Sequence, residues 1–174
     1  MQCGESLTHR RRAEAHSSRG YAASSSRRNG FILPTQLSIT TGDDDSPEAD
    51  LVRNGLYAFN FTNTPYSHSD DVAFFLKDDE DRVVGGILGY EWGGWLHITH
   101  LWVSEAYWKQ GFGKRLLEAA EDHAVHNGCR QSLLETFSFQ ARPFYERFGY
   151  VVAGQIDGYP DGYTSYFMKK SLTS

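Results

Sequence analysis

Apolar residues along the chain follow strand and helix spacings from about residue 36 to residue 171. Runs of strand-forming residues predict strands over 37–40, 72–76, 82–90, 95–103, 132–136, 151–156 and 165–169. Apolar positions recurring every three to four residues predict helices over 47–60, 111–126 and 140–148. Short turns join the second, third and fourth strands, which should therefore pair antiparallel. The strands on either side of the 111–126 helix should lie parallel, as a βαβ unit. The pattern thus predicts a mixed α/β domain.

Residues 1–34 differ from the rest in composition. Residues 1–35 hold six arginines against Glu5 and Glu14, a net charge of +4, and contain many serines but few apolar residues. Such a segment buries too little surface to offset the entropy lost on ordering. We therefore expect a disordered Arg/Ser-rich extension over 1–34 and a folded domain over 35–174. Acid-poor Arg/Ser-rich leaders are also typical of organelle transit peptides, which is an alternative interpretation.

The remaining residues hold 11 lysines and arginines against 20 acidic residues, a net charge of −9. This charge disfavours a nucleic-acid partner, because phosphates are repelled. No apolar run approaches the length of a membrane span, so no membrane partner is expected. The two cysteines, Cys3 and Cys129, fit neither a disulfide framework nor a zinc site, and no metal is expected. Reduced cysteines suit a cytoplasmic protein.

A strand, a glycine-containing loop and a helix start succeed one another over 97–117. Gly111 and Gly113 allow close approach of backbone to an oxyanion, and the first N–H groups of the helix would point at it. Positive charge is added by Lys109, Lys114 and Arg115. The loop is not a P-loop, which needs Ser or Thr at position 115. It is not a dinucleotide fingerprint either, because Leu116 stands where a third glycine is required.

The segment Leu101-x-Val103 followed by Gln110-Gly111-x-Gly113 resembles the acetyl-CoA motif of the GNAT superfamily of N-acetyltransferases. That motif reads Arg/Gln-x-x-Gly-x-Gly/Ala, and Trp108 replaces its leading residue. Residues 138–150 resemble a second GNAT segment, Asn-x-x-Ala-x-x-Leu/Phe-Tyr-x-x-x-Gly-Phe. In that segment Ser138 replaces the usual Asn, and three positions match: Ala141, Tyr145 and Gly149. The resemblance covers about residues 36 to 171.

The resemblance implies a mostly antiparallel central sheet of six to seven strands with helices on both faces. The sheet would splay near Leu101–Val103 and Leu133–Thr136, where the pantetheine arm of acetyl-CoA, the implied cosubstrate, inserts. Backbone N–H groups at the splay would come from Leu101, Trp102 and Val103. Further cofactor contacts are implied for the loop and helix start, Lys109, Gln110, Gly111, Phe112, Gly113, Lys114 and Arg115, and for Ser138 and Ala141.

Acetyl transfer to an amine requires removal of a proton from the nitrogen and donation of a proton to the leaving sulfur. The resemblance assigns the donor role to Tyr145. The resemblance also makes His97 the candidate base, since several GNAT enzymes place a Glu or His at the matching position, and an imidazole has a suitable pKa. Strand alternation would place residues 97, 99, 101 and 103 on one face and His100 on the other. Glu91, just upstream, is the rival base.

The implied function is transfer of an acetyl group from acetyl-CoA to a primary amine. Aromatic residues around 57–66 and 159–166 favour a small-molecule acceptor in a closed pocket. Three alternatives stay open: a non-catalytic acyl-CoA-binding module, which the departures at Trp108 and Ser138 favour slightly, an acetyltransferase of protein N-termini or lysines, and a structural domain that binds no CoA. Dimerisation is common among such domains, and the sequence leaves it open.

Overall fold

Six of the apolar segments form one sheet in the computed structural model, which describes residues 37–173. In chain order the strands are β1 (Asp70–Lys77), β2 (Val83–Trp92), β3 (Trp95–Val103), β4 (Gln131–Phe137), β5 (Val151–Asp157) and β6 (Thr164–Ser171). They lie side by side in the order β1-β2-β3-β4-β6-β5. Only β3 and β4 pair in parallel, and every other neighbouring pair is antiparallel. The predicted mixed, mostly antiparallel sheet is therefore confirmed.

The strand predicted over residues 37–40 is wrong. This segment has no regular secondary structure, and Leu37 and Ile39 are 88% and 102% exposed. Two alternating apolar side chains over four residues are too few to specify a strand, because a strand's register depends on burying one of its faces. The sheet accordingly has six strands in the described part of the chain. The extension predicted over 1–34 lies outside the described residues.

The helices are α1 (Pro47–Asn63), α2 (Phe112–His126) and α3 (Arg142–Arg147), with a 3-10 turn at Glu105–Tyr107. Ser46 caps α1 as its hydroxyl oxygen accepts the Ala49 N–H at 3.2 Å. The described chain divides after Phe59 into two compact units. The whole sheet, α2 and α3 belong to the second unit. None of the helices in residues 37–173 is long and apolar enough to cross a membrane.

Both α2 and α3 pack on one face of the sheet, here called the helical face. The predicted apolar side of α2 is buried there: Leu116, Leu117, Ala120 and Ala124. These side chains form the core with strand residues that include Val72, Ile87, Leu96 and Leu134. Tyr145 of α3 joins the same core, in edge-on contact with Tyr150. The opposite face, here called the far face, carries Tyr90, His97 and Leu133, which are neighbours by strand register.

The sheet opens between β3 and β4. These strands share only four residue pairs, from Trp95↔Gln131 to Ile98↔Leu134. Beyond this point β3 continues beside β2 as far as Val103, while β4 continues beside β6 as far as Phe137. The opening therefore begins at Thr99 and Glu135. The splay predicted at Leu101–Val103 is present, whereas Leu133 and Leu134 are still paired.

Candidate active site

The free edge of β3 presents backbone polar groups to the opening. The Ser104 N–H donates to the Val84 carbonyl oxygen at 2.8 Å, so Ser104 faces β2. Backbone groups alternate in direction along a strand of an antiparallel pair. Leu101 and Val103 therefore point their N–H and C=O groups into the opening, and Trp102 points its own towards Gly86 of β2. Of the three residues predicted to offer backbone N–H groups at the splay, Leu101 and Val103 point theirs into the opening and Trp102 does not.

Trp108 lies at the outer end of this opening. Its indole Nε1–H donates to the Val103 carbonyl oxygen at 2.6 Å, and its side chain is 56% exposed. The residue that replaces the motif's leading Arg or Gln is thus fixed to the free edge of β3. A carbonyl oxygen has two lone pairs, so Val103 can accept a second hydrogen bond.

A β-bulge at Thr99 changes which side chains of β3 share a face. Ile98 pairs with Gly89, and His100 pairs with the adjacent Leu88, so Thr99 has no partner on β2. The Thr99 hydroxyl donates to the Leu88 carbonyl oxygen at 3.1 Å. The prediction that residues 97, 99, 101 and 103 share one face is therefore wrong. His97 and His100 lie on the far face, while Leu101 and Val103 turn to the helical face.

His97 is half-buried on the far face, beside the start of the opening. Its ring stacks on that of Tyr90, with centroids 4.5 Å apart and planes 18° from parallel. Burial lowers the pKa of His97, because desolvation disfavours the imidazolium. The imidazole is therefore neutral at neutral pH and can accept a proton.

Tyr145 approaches the sheet from the helical face. It is 7% exposed and meets the rings of Phe144 and Tyr150 edge-on, at 5.2 and 5.7 Å. Burial raises the pKa of Tyr145 to about 12, so the phenol keeps its proton at neutral pH. A protonated phenol can donate a proton. The side chains of His97 and Tyr145 thus lie on opposite faces of the sheet.

The loop before α2 adopts a conformation that leaves the helix start uncapped. Gly111 is the N-cap residue, in the left-handed region at φ 83°, and no side chain in the described part of the chain caps the helix. The first intrahelical bond runs from the Arg115 N–H to the Gly111 carbonyl oxygen. The preceding N–H groups, of Phe112, Gly113 and Lys114, are those that a helix leaves without an internal partner. Such groups form an anion site.

The charged side chains at this helix start differ in their contacts. Lys114 forms an ion pair with Glu118 at 3.1 Å, and the Arg115 guanidinium lies over the Phe112 ring at 5.4 Å. Lys109 adopts φ 60°, an uncommon backbone conformation for a residue with a side chain. Gln110 donates from Nε2 to the Ala106 carbonyl oxygen at 3.1 Å, which ties the loop to the 3-10 turn.

Helix α3 lies next to the start of α2. A Cβ built on Gly113 would stand 3.5 Å from the Phe144 ring, which is ordinary contact. The uncapped start of α2 and the Tyr145 phenol therefore share the helical face. Ala141 is the N-cap residue of α3. The Ser138 hydroxyl oxygen accepts the Thr164 N–H at 3.2 Å, which links the end of β4 to the start of β6.

Glu91 is not brought to the opening. It lies on the helical face at the other end of the sheet, paired in register with Leu96, and is 6% exposed. Its Oε2 accepts the Asn127 Nδ2–H at 3.0 Å, beyond the end of α2. The His123 Nε2 lies 3.7 Å from Oε1. Glu91 thus accepts a hydrogen bond at the C-terminal end of α2 and lies on the opposite face of the sheet from His97.

Sequence reasoning missed one charged residue at the opening. Glu135 is the first β4 residue beyond the last pair with β3, and its side chain is exposed. The Ser165 hydroxyl donates to Glu135 Oε1 at 2.5 Å. The available signal was the one acidic residue inside the predicted strand Ser132–Thr136.

Comparisons with known proteins find similar sequences and folds. Residues 41–150 match the model of the acetyltransferase (GNAT) family. A blasticidin-S acetyltransferase of Streptomyces morookaense is 40% identical over 101 residues, which cover 58% of this chain and 74% of that protein.

Solved structures also match. The crystal structure of an acetyltransferase from Bacillus cereus superposes with a TM-score of 0.70 at 31% identity, covering 78% of this chain and 97% of that chain. An acetyltransferase of Bacillus anthracis, solved in complex with acetyl coenzyme A, superposes with a TM-score of 0.53. At 22% identity over 59% of this chain and 62% of that chain, the second match shows a shared fold alone.

Proposed function

The chain belongs to the acetyltransferase (GNAT) family, and from that premise we propose that it transfers an acetyl group from acetyl-CoA to a primary amine of a small molecule. GNAT acetyltransferases use acetyl-CoA as the acetyl donor. The observation that carries the proposal is the opening between β3 and β4, with an uncapped helix start and a buried phenol on one face and an imidazole on the other.

The residues present fit acetyl-CoA. Leu101 and Val103 offer backbone groups that match the amides of a pantetheine arm. The N–H groups of Phe112, Gly113 and Lys114 would hold the pyrophosphate, with positive charge from Lys109 and Arg115 nearby. Ser138 and Ala141 stay predicted contacts at the start of α3.

The chemistry divides between the two faces. Acetyl-CoA supplies the acetyl group as a thioester, whose carbonyl carbon bonds to the acceptor nitrogen as the carbon–sulfur bond breaks. His97 accepts the proton that the nitrogen must lose, because its lowered pKa keeps it neutral. Tyr145 donates its phenolic hydrogen towards the sulfur, because its raised pKa keeps it protonated. The Leu101 N–H, which points into the opening, stabilises charge on the carbonyl oxygen in this proposal.

A small-molecule acceptor is favoured by the family relative that acts on blasticidin S. It is also favoured by the aromatic side chains that flank the opening on the far face, Tyr90, Phe137 and Phe167. A protein N-terminus or a lysine side chain is the alternative acceptor.

The test is thermal and chemical unfolding with and without acetyl-CoA, followed by an amine screen. Ligand at about 100 times its Kd should add about 2.7 kcal/mol to the free energy of unfolding. We expect this stabilisation in the wild type and its loss in Gly111→Asp, which places a negative charge at the helix start. An unchanged midpoint with saturating acetyl-CoA would contradict the proposal.

Gly94→Asp is the matched control. Gly94 also has a positive φ, of 79°, and has open space around it, but it lies in the β2–β3 turn away from α2's start. Both variants suffer the same backbone strain. Loss of the acetyl-CoA effect in Gly111→Asp alone therefore reports on the loop.

A further inference from the structure

Glu135 lies on the far face of the sheet where the strands part. It follows Leu134, the last residue of β4 that pairs with β3. Because side chains alternate along a strand, Glu135 shares a face with Leu133, the register partner of His97. The carboxylate therefore lies one residue beyond the last β3–β4 pair, on the same face as His97, the proposed base.

The carboxylate is held in place and has no cationic partner among residues 37–173. The hydroxyl of Ser165, a residue with 0% exposure on β6, donates to Glu135 Oε1 at 2.5 Å. Within residues 37–173 no lysine, arginine or histidine forms an ion pair with Glu135. Lys169 lies on the same face of β6, but its register partner is Leu133 rather than Glu135. Glu135 is thus an oriented, exposed negative charge.

Two aromatic residues neighbour Glu135 by strand register on the far face. Phe167 is the register partner of Glu135 on β6, and Phe137 is the next residue of β4 on the same face. The Phe137 ring stacks on Phe139 at 5.4 Å and contacts Tyr159 at 5.8 Å. Aromatic faces attract cations, and a carboxylate beside them adds a direct ionic partner. The combination is suited to an ammonium or guanidinium group.

We propose that Glu135, with Phe137 and Phe167, binds a second positive charge on the acceptor, in addition to the amine that is acetylated. This inference rests on the proposed function and specifies its substrate class as dicationic amines. A carboxylate bound to the reacting nitrogen itself would stabilise the protonated form, which cannot attack. Glu135 therefore serves a neighbouring cation on the same molecule.

The charge of the domain supports the same assignment. Residues 36–174 carry a net charge of −9. An acidic surface raises the local concentration of cationic ligands and their association rate. The anionic cofactor meets its own local cations on the helical face, so the two substrates are drawn to different faces.

The experiment compares acceptors that differ by one charge. Putrescine and butylamine have the same carbon skeleton, and so do a xylylenediamine and the benzylamine with a methyl group at the matching ring position. Only the first of each pair has a second ammonium group. With acetyl-CoA held saturating, we expect higher kcat/KM for the dicationic member of each pair. Equal kcat/KM within both pairs would overturn the inference and leave the proposed function standing.

Glu135→Gln tests the residue itself. The amide keeps an oxygen for the Ser165 hydroxyl but removes the charge. We expect KM for the dications to rise about tenfold, with little change for the monoamines or in the acetyl-CoA-induced midpoint shift. Glu80→Gln, the same change in the exposed β1–β2 turn, should alter none of these values.

Two results would overturn the assignment. If Glu135→Gln lowers kcat equally for both members of a pair and removes the acidic limb of the pH–rate profile, Glu135 is the base rather than a binding residue. If acetyl-CoA stabilises the protein but no amine in the panel is acetylated, the proposed function itself fails, and the inference fails with it.

Discussion

At the scale of single residues, His97 and Glu91 show how environment separates two candidate bases. Both lie in neighbouring strands, but His97 is half-buried on the far face beside the opening, whereas Glu91 is buried on the helical face at the end of α2. A base must be able to reach the acceptor nitrogen. Position therefore favours His97.

His97→Gln should lower kcat by about 100-fold, the lower end of the usual contribution of a general base. Burial lowers the pKa of His97, so in the wild type the imidazole gains its proton only below its ordinary pKa. The wild-type rate should hold through neutral pH and fall in acid as His97 becomes protonated. The variant should lack this acidic limb. The measurement is kcat against pH at saturating substrates.

Glu91→Gln is the matched comparison. The amide oxygen can still accept the Asn127 Nδ2–H, so the end of α2 keeps its hydrogen bond. We expect kcat and its pH profile to stay as in the wild type. A profile that loses its acidic limb in Glu91→Gln and keeps it in His97→Gln would reverse the two roles.

At the scale of secondary structure, the bulge at Thr99 decides what the central strand presents. Without the bulge, strand alternation would place His97 on the same face as Leu101 and Val103. With it, His97 and His100 lie together on the far face. Gly89 permits this arrangement, because a Cβ at that position would overlap the carbonyl oxygen of His97.

Gly89→Ala should therefore lower the free energy of unfolding by about 1–3 kcal/mol, the usual cost of overpacking. The clash is with backbone, which cannot move aside as a side chain can. It should also lower kcat, because His97 is displaced. Urea unfolding and steady-state kinetics measure the two effects.

Gly154→Ala is the control for a strand glycine. No atom of residues 37–173 lies within 4 Å of a Cβ built there, so we expect a stability change within about 0.5 kcal/mol. Equal destabilisation by the two substitutions would show that loss of glycine in a strand, rather than the contact with His97, is responsible.

Most elements could be predicted from the sequence because each has a strong local pattern. The prediction for β3 matches its observed bounds, 95–103, and α2 begins one residue after its predicted start at Gly111. The bulge could not be predicted, because alternation assumes an unbroken ladder and Thr99 is an ordinary strand residue. The segment 37–40 failed for the opposite reason, since its alternation is real but has no buried face.

The loop before α2 could be predicted from a local sequence motif. The position of Glu135 could not, because it depends on the register between β3 and β4. Gly111 and the helix start were identified because a Gly-x-Gly loop follows a strand pattern and precedes a helix pattern, and in the structure Gly111 is the left-handed N-cap residue of α2. Glu135 was missed because its importance depends on where the β3–β4 pairing stops. That point is set by long-range strand register, which no local pattern encodes.

At the scale of the second compact unit, the opening joins two electrostatic environments through one sheet. The helical face offers an uncapped helix start for an anion and a protonated phenol. The far face offers a neutral imidazole and the Glu135 carboxylate for a cation. An anionic donor and a cationic acceptor can thus meet at the opening without sharing a binding surface.

This arrangement predicts where acetyl-CoA slows amide hydrogen exchange. The N–H groups of Leu101 and Val103 point into the opening and should exchange quickly until a ligand accepts their hydrogen bonds. The N–H groups of Phe112 and Gly113, at the helix start, should become protected with them. Exchange measured by NMR with and without acetyl-CoA resolves these positions.

The Trp102 amide is the internal control, because it faces β2 and should already be protected in the free protein. Its two neighbours in sequence should gain protection on binding while it gains little. Protection that rises evenly across Leu101, Trp102 and Val103 would mean that acetyl-CoA stabilises the sheet as a whole. It would contradict insertion along the free edge of β3, since only insertion distinguishes alternate amides of one strand.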